Sequence, residues 1–415
     1  MINRLFIGRG RTGFRIAMGT VLSSVAACGG AGSGAAGSGA AGGGGQPAVY
    51  AYVASADVDN RAVPGAVYQY SIGSDGSVAP LSVASVPAGV TPKAVVSDPS
   101  GRYVYVANDG DATISQYAVG ADGGLVALSP AVVRIAGLQN AGYTVSIEPS
   151  GKFLYVVGSP RDLAGPSATI AQYSIQSDGT LASLAQAYLN LSVYASGSLA
   201  IDSSGRYAYL AGAASAAGGL VSQFSINSDG TLAALTPATI AAMQGTVAVT
   251  IAPSGQTAYV ISMCVDTACN GQIEPYTIGA NGILTPSGVV TLVGSHVNPV
   301  EMVTDGSVSG VYVLANAMGV DTNAGAVYQY EVDSAGALAA DTPASLPVAS
   351  GAVAESTYGS NLYALSANAV GFVSGQPPGG HIDHYLIGSG GLLTAVSTTT
   401  VTGSLLTSMT IVVAH

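Results

Sequence analysis

The chain has 415 residues, of which 48% are hydrophobic and 8% are charged, and it contains 57 glycines, 22 tyrosines and no tryptophan. This composition is typical of an all-β or exported protein rather than of a helical cytosolic enzyme. The net charge of -11 argues against a nucleic-acid partner, because such a surface repels phosphate backbones.

The first 27 residues have the form of an export signal. A basic segment, residues 1–15, precedes a short apolar run, residues 16–27, which is too short to span a membrane. The run ends in Val25-Ala26-Ala27-Cys28, which resembles the bacterial lipobox. The resemblance implies cleavage before Cys28 and lipidation of this cysteine, and Gly29 after it implies retention in the outer membrane. The alternative is an ordinary signal peptide followed by a chance cysteine.

A flexible tether is predicted for residues 28–46. The stretch GGAGSGAAGSGAAGGGG, residues 29–45, contains no side chain that could be buried in a core. We therefore expect an exported protein that is attached to the membrane through Cys28, at the periplasmic face or the cell surface.

From residue 47 onward the chain repeats one pattern seven times. An aromatic residue precedes a tight turn in each copy, and successive aromatic residues are separated by 47 to 56 positions: Tyr70, Tyr117, Tyr173, Phe224, Tyr276, Tyr330 and Tyr385. A second phrase alternates with it, as in DPSGRYVYVAN at 98 and EPSGKFLYVVG at 148. Each period contains four segments with strand-like alternation, joined by glycine-bearing turns.

Four antiparallel strands repeated seven times predict an all-β, seven-bladed β-propeller over residues 47–415. The first copy lacks an innermost strand, since it begins directly with the strand at 49–54. The chain ends on an apolar run, TSMTIVVAH, with no further strand after it. We expect this C-terminal strand to pair beside residues 49–54 and close the ring.

The phrases PSGRYVYVAN and QYSI followed by Asp-Gly resemble the seven-bladed lactonase family, which includes bacterial 6-phosphogluconolactonase, and the related YVTN-repeat surface proteins. The resemblance extends over residues 47–415. It implies the propeller fold, and it implies a lactone-hydrolysing activity less strongly because the shared phrases are structural. The recurring Asp75, Asp122, Asp178 and Asp229 fit a turn-forming role rather than a catalytic one.

The resemblance also implies Arg and His side chains at the mouth of the central channel. Here TPKAVVS at 91 has Lys93 in place of the arginine and Ala94 in place of the histidine. The positions expected to match Lys93 in the other copies are uncharged: Tyr143, Gly197, Val247, Val300, Gly351 and Met409. This lining offers few cations to hold a phosphorylated substrate.

Two further residues are candidates for catalysis at the channel mouth. His296 precedes an innermost strand, and Glu301 follows it within GSHVNPVEMV. A His-Glu pair could activate water for attack on an ester, and the alternative is a loop histidine beside a solvated glutamate. His384 stands in a column otherwise occupied by glutamines, so we interpret it as a polar strand residue.

Cys264 and Cys269 are predicted to form a disulfide, because an oxidising compartment pairs two cysteines that are close in sequence. The acidic loops at 56, 108 and 320 do not match a calcium-binding loop. We therefore expect no metal and no cofactor, and we expect a monomer.

Two functions remain open. The favoured one is a lipid-anchored binding or scaffold module that presents a propeller face to a protein, glycan or small molecule. The alternative is a lactone hydrolase similar to 6-phosphogluconolactonase, with Lys93, His296 and Glu301 at the channel mouth.

Overall fold

The computed structural model describes residues 47–56, 63–135, 137, 141–160, 167–215, 218–263, 271–292, 297–305, 310–317, 325–333, 336–349, 351–367, 379–403 and 405–413. The regular elements in these residues are β-strands, which form seven antiparallel sheets. Consecutive sheets contact each other and the seventh contacts the first, so the sheets are the blades of a ring. The predicted seven-bladed β-propeller is confirmed. In the described residues there is no helix with the length and apolarity needed to cross a membrane.

The strands of the first four blades follow in chain order. Blade 1 begins with β1 (Val49–Ala56), β2 (Pro64–Ile72) and β3 (Val78–Val90). Blade 2 contains β4 (Pro92–Ser97), β5 (Tyr103–Asn108), β6 (Thr113–Val119) and β7 (Leu125–Arg134). Blade 3 contains β8 (Ala141–Ile147), β9 (Phe153–Pro160), β10 (Thr169–Ile175) and β11 (Leu181–Asn190). Blade 4 contains the short β12 (Tyr194–Ala195) and β13 (Ala200–Ile201), then β14 (Tyr207–Ser215), β15 (Gly218–Ile226) and β16 (Leu232–Ala242).

The remaining blades have the same order. Blade 5 contains β17 (Thr246–Ile251), β18 (Thr257–Ser262), β19 (Gln272–Ile278) and an interrupted last strand, β20 (Leu284–Pro286) and β21 (Val290–Thr291). Blade 6 contains β22 (Val297–Thr304), β23 (Gly310–Ala317), β24 (Gly325–Val332) and β25 (Leu338–Val348). Blade 7 contains β26 (Gly351–Tyr358), β27 (Asn361–Ala367), β28 (Gly380–Ile387) and β29 (Leu393–Val401), and the chain ends with β30 (Leu405–Val413).

The ring closes through its terminal strands. Strand β30 pairs antiparallel with β1, from Val49 opposite Val413 to Ala56 opposite Leu405, and it completes blade 1 as its innermost strand. The predicted closure is therefore confirmed. Closure covers the edge of β1, and the apolar side chains of Leu406 and Met409 are buried in the core.

One face of the ring is built from repeated turns, and we call it the turn face. Here the Pro-Ser-Gly turns join the first and second strands, and the Asp-Gly turns join the third and fourth. In blade 1, the amide of Gly76 donates to the carbonyl of Gly73 at 2.9 Å, and Gly76 has a φ of 80° that favours glycine. The Asp75 carboxylate accepts the Ser77 amide at 3.0 Å, so this aspartate builds the turn, as predicted. The opposite face, where the chain passes between blades, is the variable face.

Seven tyrosines bond each blade to the next at the turn face. Each hydroxyl donates to the carbonyl of a turn glycine in the following blade, and we call the boundary between two blades a seam. The bond is 2.6–2.7 Å long for Tyr52, Tyr105, Tyr155, Tyr209 and Tyr312. It is 3.0 Å for Tyr259, at the seam of blades 5 and 6, and 3.3 Å for Tyr363, at the seam of blades 7 and 1.

A column of buried glutamines forms a second set of bonds across the seams. In blade 3, Gln172 donates its Nε2 to the carbonyl of Gln186 in the outer strand at 2.9 Å. Its Oε1 accepts the amide of Leu232, the first residue of the outer strand of blade 4, at 2.8 Å. The same paired bonds are made by Gln69, Gln116, Gln223 and Gln329.

The column has two exceptions, Pro275 in blade 5 and His384 in blade 7. The register places them opposite Tyr259 and Tyr363, where the other blades have glutamine. His384 is buried and stacks on Tyr363 with ring centroids 4.8 Å apart. Its Nε2 lies 2.7 Å from Oδ1 of Asn361. His384 is therefore a polar strand residue in the glutamine column, as the sequence indicates.

Candidate functional site

The candidate site lies on the innermost strands, near the variable face. Lys93 is the second residue of β4, at a point where the pairing register with β5 shifts between Pro92 and Ala94. Equivalent shifts occur on the innermost strands of four other blades, at Val247, Val300, Val353 and Thr407. A β-bulge inserts one extra residue into a strand, and it turns that residue away from the regular alternation.

The bulges correct two of the expected positions. In blade 7 the residue that matches Lys93 is Val353 rather than Gly351, and in blade 1 it is Thr407 rather than Met409. Sequence spacing missed Val353 because the bulge of blade 7 lies six residues before its turn glycine, Gly359, whereas Lys93 lies eight before Gly101. It missed Thr407 because no such turn follows β30 to set the spacing. The corrected ring still contains one charged side chain, Lys93, and it also contains Tyr143, Gly197, Val247, Val300, Val353 and Thr407.

Glu301 is completely buried rather than open to the channel. Its relative exposure is 0%, and its Oε2 accepts the backbone N–H of Glu355, on the innermost strand of blade 7, at 2.7 Å. Ser408 occupies the equivalent position in blade 1, and its Oγ accepts the N–H of Val95 in blade 2 at 3.2 Å. The carboxylate of Glu301 therefore makes an inter-blade hydrogen bond that a serine makes elsewhere in the ring.

Glu355 is a second buried carboxyl group, which the sequence analysis did not identify. Its Oε1 accepts the N–H of Leu314 in blade 6 at 3.2 Å, and its Oε2 has no hydrogen-bond partner. Burial raises the pKa of Glu355 well above its ordinary value, and the nearby charge of Glu301 raises it further. Glu355 therefore holds its proton at pH values at which a solvated glutamic acid is ionised.

The two glutamates are exceptions in their own columns. The positions equivalent to Glu301 carry small side chains, namely Ala94, Thr144, Ser198, Ala248, Ala354 and Ser408. The positions equivalent to Glu355 carry apolar side chains, namely Val95, Val145, Leu199, Val249, Met302 and Met409. Alignment of the innermost strands, including their bulges, is the signal that could have singled out Glu355.

The structure does not gather the predicted catalytic residues on one blade. Lys93 lies on blade 2 and is half-buried, whereas Glu301 lies on blade 6. His296 lies outside the described residues, as do Cys28, Cys264, Cys269 and the segments 1–27 and 28–46. Their predicted roles stay predictions.

The chemistry available on the described innermost strands is narrow. A general base for ester hydrolysis must reach a water molecule beside the substrate. Glu301 and Glu355 are instead buried against backbone amides of the neighbouring blade. Within the described part of the chain, no three side chains among His, Cys, Asp and Glu form a group that could hold a metal ion.

The ring, its closure and its repeated seam bonds define a seven-bladed β-propeller. In a comparison with solved structures, the chain is similar to a 6-phosphogluconolactonase candidate of Bacteroides fragilis, with a TM-score of 0.64, 17% identity and coverage of 88% of this chain and 98% of the other. It is also similar to the periplasmic gluconolactonase of Pseudomonas aeruginosa, with a TM-score of 0.64, 16% identity and coverage of 88% and 100%.

A protein from Lactobacillus plantarum matches with a TM-score of 0.62, 12% identity and coverage of 88% of this chain and 100% of the other. No family model and no curated protein sequence matches this chain. At these identities the comparisons establish the fold, and function has to be argued from the site.

Proposed function

We propose that the chain is an exported, lipid-anchored β-propeller that binds a partner through its variable face and carries out no reaction at its axis. The observation that carries this proposal is the ring of positions equivalent to Lys93. Six of the seven are uncharged, and the two carboxyl groups nearby are buried in inter-blade hydrogen bonds. On the described innermost strands the one cation is the half-buried Lys93 and neither glutamate is exposed, whereas lactone hydrolysis needs a base that can reach water beside the substrate.

The variable face is the part of the surface that can carry specificity. The turn face presents nearly the same Asp-Gly turn in successive blades, with equivalent hydrogen bonds at Gly76, Gly123, Gly179 and Gly230. A repeated surface offers the same chemistry several times, whereas the connections at the variable face differ from copy to copy. We infer that a protein, glycan or small-molecule ligand contacts the variable face.

Export and anchoring belong to the same proposal. The form of residues 1–27 and the lipobox-like Cys28 support them, and one protein of similar structure is a periplasmic gluconolactonase. In cells fed a labelled fatty acid, the chain should incorporate the label and sediment with membranes. Cys28→Ser should abolish both, whereas an ordinary signal peptide would leave both chains unlabelled and soluble. The expected Cys264–Cys269 disulfide can be checked by thiol alkylation before and after reduction.

Site-specific photo-crosslinking in cells tests the binding role. A photoreactive residue at Ser192 or Thr402, which are exposed in blade-to-blade links, samples the variable face. The matched controls are Ser177 and Ser228, which are exposed in turns of the opposite face. We expect a discrete adduct from the first two positions and none from the controls. Adducts of equal yield from both faces, or none from the variable face, would refute the proposal.

A lactone hydrolase is the second candidate, and the similarity to the two gluconolactonase structures over nearly their full length favours it. In that function, water attacks the lactone carbonyl near Lys93, with His296 or Glu301 as base. The test is hydrolysis of phosphorylated and unphosphorylated sugar lactones by the purified protein. Lys93→Ala and Glu301→Gln should abolish turnover if the enzyme hypothesis is correct, and Lys152→Ala, which removes an exposed cation of the turn face, should not.

A further inference from the structure

We propose that blades 6 and 7 form one unit that separates from blades 1–5 at two weak seams, the seam of blades 5 and 6 and the seam of blades 7 and 1. The inference goes beyond the proposed function and does not depend on it. It rests on a comparison of the seven seams, which are built from the same repeated contacts and therefore serve as controls for each other.

Both proposed seams lack the glutamine bond. At five seams a glutamine Oε1 accepts the first amide of the next outer strand. Pro275 replaces the glutamine that would accept the amide of Leu338, and proline has no polar side chain. His384 replaces the glutamine that would accept the amide of Val78, and its Nε2 is directed to Asn361 instead.

The tyrosine bonds weaken at the same two seams. The Tyr259 and Tyr363 hydroxyls lie 3.0 and 3.3 Å from the carbonyls of Gly336 and Gly76, against 2.6–2.7 Å at the other five seams. Hydrogen bonds to a carbonyl are strongest near the shorter distance. At the two seams on either side of the pair of blades 6 and 7, the glutamine bond is therefore missing and the tyrosine bond is longer.

Aromatic packing distinguishes blades 1–5 as a continuous arc. In blades 1 to 4 an aromatic side chain covers a turn glycine of the next blade, as Tyr207 covers Gly282. The positions equivalent to Tyr207 in the other three blades are Thr257, Gly310 and Asn361, which have no aromatic ring. At the seam of blades 7 and 1 the imidazole of His384 covers Gly76 instead, so this seam keeps a ring contact but neither the glutamine bond nor a short tyrosine bond. Four consecutive seams therefore keep all three kinds of contact.

The seam inside the unit compensates for its missing aromatic ring. It has a tyrosine bond of 2.6 Å and a glutamine bond of 2.7 Å. Glu301 and Glu355 add two hydrogen bonds across it. Asn316 adds two more, since its Nδ2 donates to the carbonyl of Ala352 at 3.0 Å and its Oδ1 accepts the Ala352 amide at 2.7 Å. Blades 6 and 7 are thus bonded more heavily to each other than to their outer neighbours.

Native-state hydrogen exchange of the full chain tests the proposal. Under EX2 conditions at low denaturant, the amides of Leu338 and Val78 should exchange about tenfold or more faster than those of Leu125, Leu181, Leu232 and Leu393, because they open without global unfolding. The two amides should share one denaturant dependence. Equal protection at all seams, or an amide of Leu393 that exchanges as fast as that of Leu338, would overturn the proposal.

A second test replaces the histidine of a weak seam by glutamine, and the glutamine of a strong seam by histidine. His384→Gln restores the glutamine column and should slow exchange of the Val78 amide about tenfold. Gln172→His places the blade 7 arrangement at the seam of blades 3 and 4, and it should speed exchange of the Leu232 amide by a similar factor. Exchange of Val78 that is unchanged in His384→Gln would show that the missing glutamine does not weaken the seam.

Discussion

The backbone N–H of Glu355 donates to Oε2 of Glu301 at 2.7 Å across the seam of blades 6 and 7, and the Glu355 carboxyl reaches back to the amide of Leu314 in blade 6. Each blade thus supplies one carboxyl group to the backbone of the other. Oε2 of Glu355 has no hydrogen-bond partner, so this carboxyl group is buried without full compensation for a charge. Six other innermost strands fill the position of Glu355 with an apolar side chain.

The first prediction concerns the pH dependence of stability. The folded pKa of Glu355 lies above the ordinary value of 4.5, so between these two pKa values the folded protein binds a proton that the unfolded chain has released. The contribution of this group is therefore complete below about pH 4.5 and decreases as pH rises toward the folded pKa. Urea unfolding at pH 5 and pH 8 should show the protein less stable at pH 8.

Glu355→Gln isolates the contribution of this group. Glutamine keeps an acceptor for Leu314 and cannot ionise, so the variant should lose part of the decrease between pH 5 and pH 8 and be more stable than the parent protein at pH 8. Glu331→Gln is the matched control, because Glu331 is an exposed glutamate on the neighbouring blade 6. A decrease of the same size in the parent protein and in Glu355→Gln would contradict the prediction.

The second prediction concerns the tyrosine ring. Tyr209→Phe removes one hydroxyl and leaves the carbonyl of Gly282, which it bonds at 2.7 Å, without that donor in a buried setting. We expect a loss of about 1–2 kcal/mol in the free energy of unfolding. Tyr188→Phe is the control, because Tyr188 is 44% exposed on an outer strand and should change stability by less than about 0.5 kcal/mol. Equal effects of the two substitutions on the urea midpoint would argue against the ring as a stabilising device.

The third prediction concerns the close approach of blades at a turn glycine. Gly230 has a φ of 85°, and a Cβ atom there would lie 2.2 Å from a ring carbon of Phe153 in the preceding blade. Gly230→Ala should therefore cost about 2 kcal/mol or more, through backbone strain and a displaced ring. At Gly218 no atom lies within 4 Å of the added carbon, and Gly218→Ala should leave the urea midpoint nearly unchanged.

The architecture was predictable because its signals are local and repeated. The aromatic spacing and the glycine turns indicate four strands in each of seven copies, and the unmatched segments at the two ends indicate closure. Asp75 could likewise be interpreted from its neighbours, since an aspartate before glycine suits a turn that the structure shows at Gly76. His384 could be interpreted because its column was visible in the repeat.

The axial site was less predictable because it depends on contacts between copies. The bulge at Lys93 lies eight residues before the turn glycine Gly101, whereas the bulge of blade 7 lies six residues before Gly359, so spacing from the turns selected Gly351 where the structure has Val353. Glu301 was named as a catalytic candidate, but its partner Glu355 was not identified, because the two glutamates are 54 residues apart and meet only through the packing of two blades. The pairing function of the glutamines across seams was also missed for this reason.

The fourth prediction concerns closure by β30. A chain that ends at Gly403 lacks β30, which pairs with β1 along its whole length on the axial side. Its absence exposes Tyr52, Val53 and Ala54, which are fully buried in the closed ring. An uncovered apolar edge at the axis should abolish cooperative unfolding and promote aggregation, because each blade is held mainly by its neighbours. Circular dichroism during thermal unfolding measures this loss. A synthetic peptide of residues 404–415 should restore a cooperative transition when added, since it can pair with β1 in the same register, whereas a scrambled peptide of the same composition should not. If the truncated chain unfolds cooperatively at the same temperature as the parent protein, the terminal strand does not hold the ring closed.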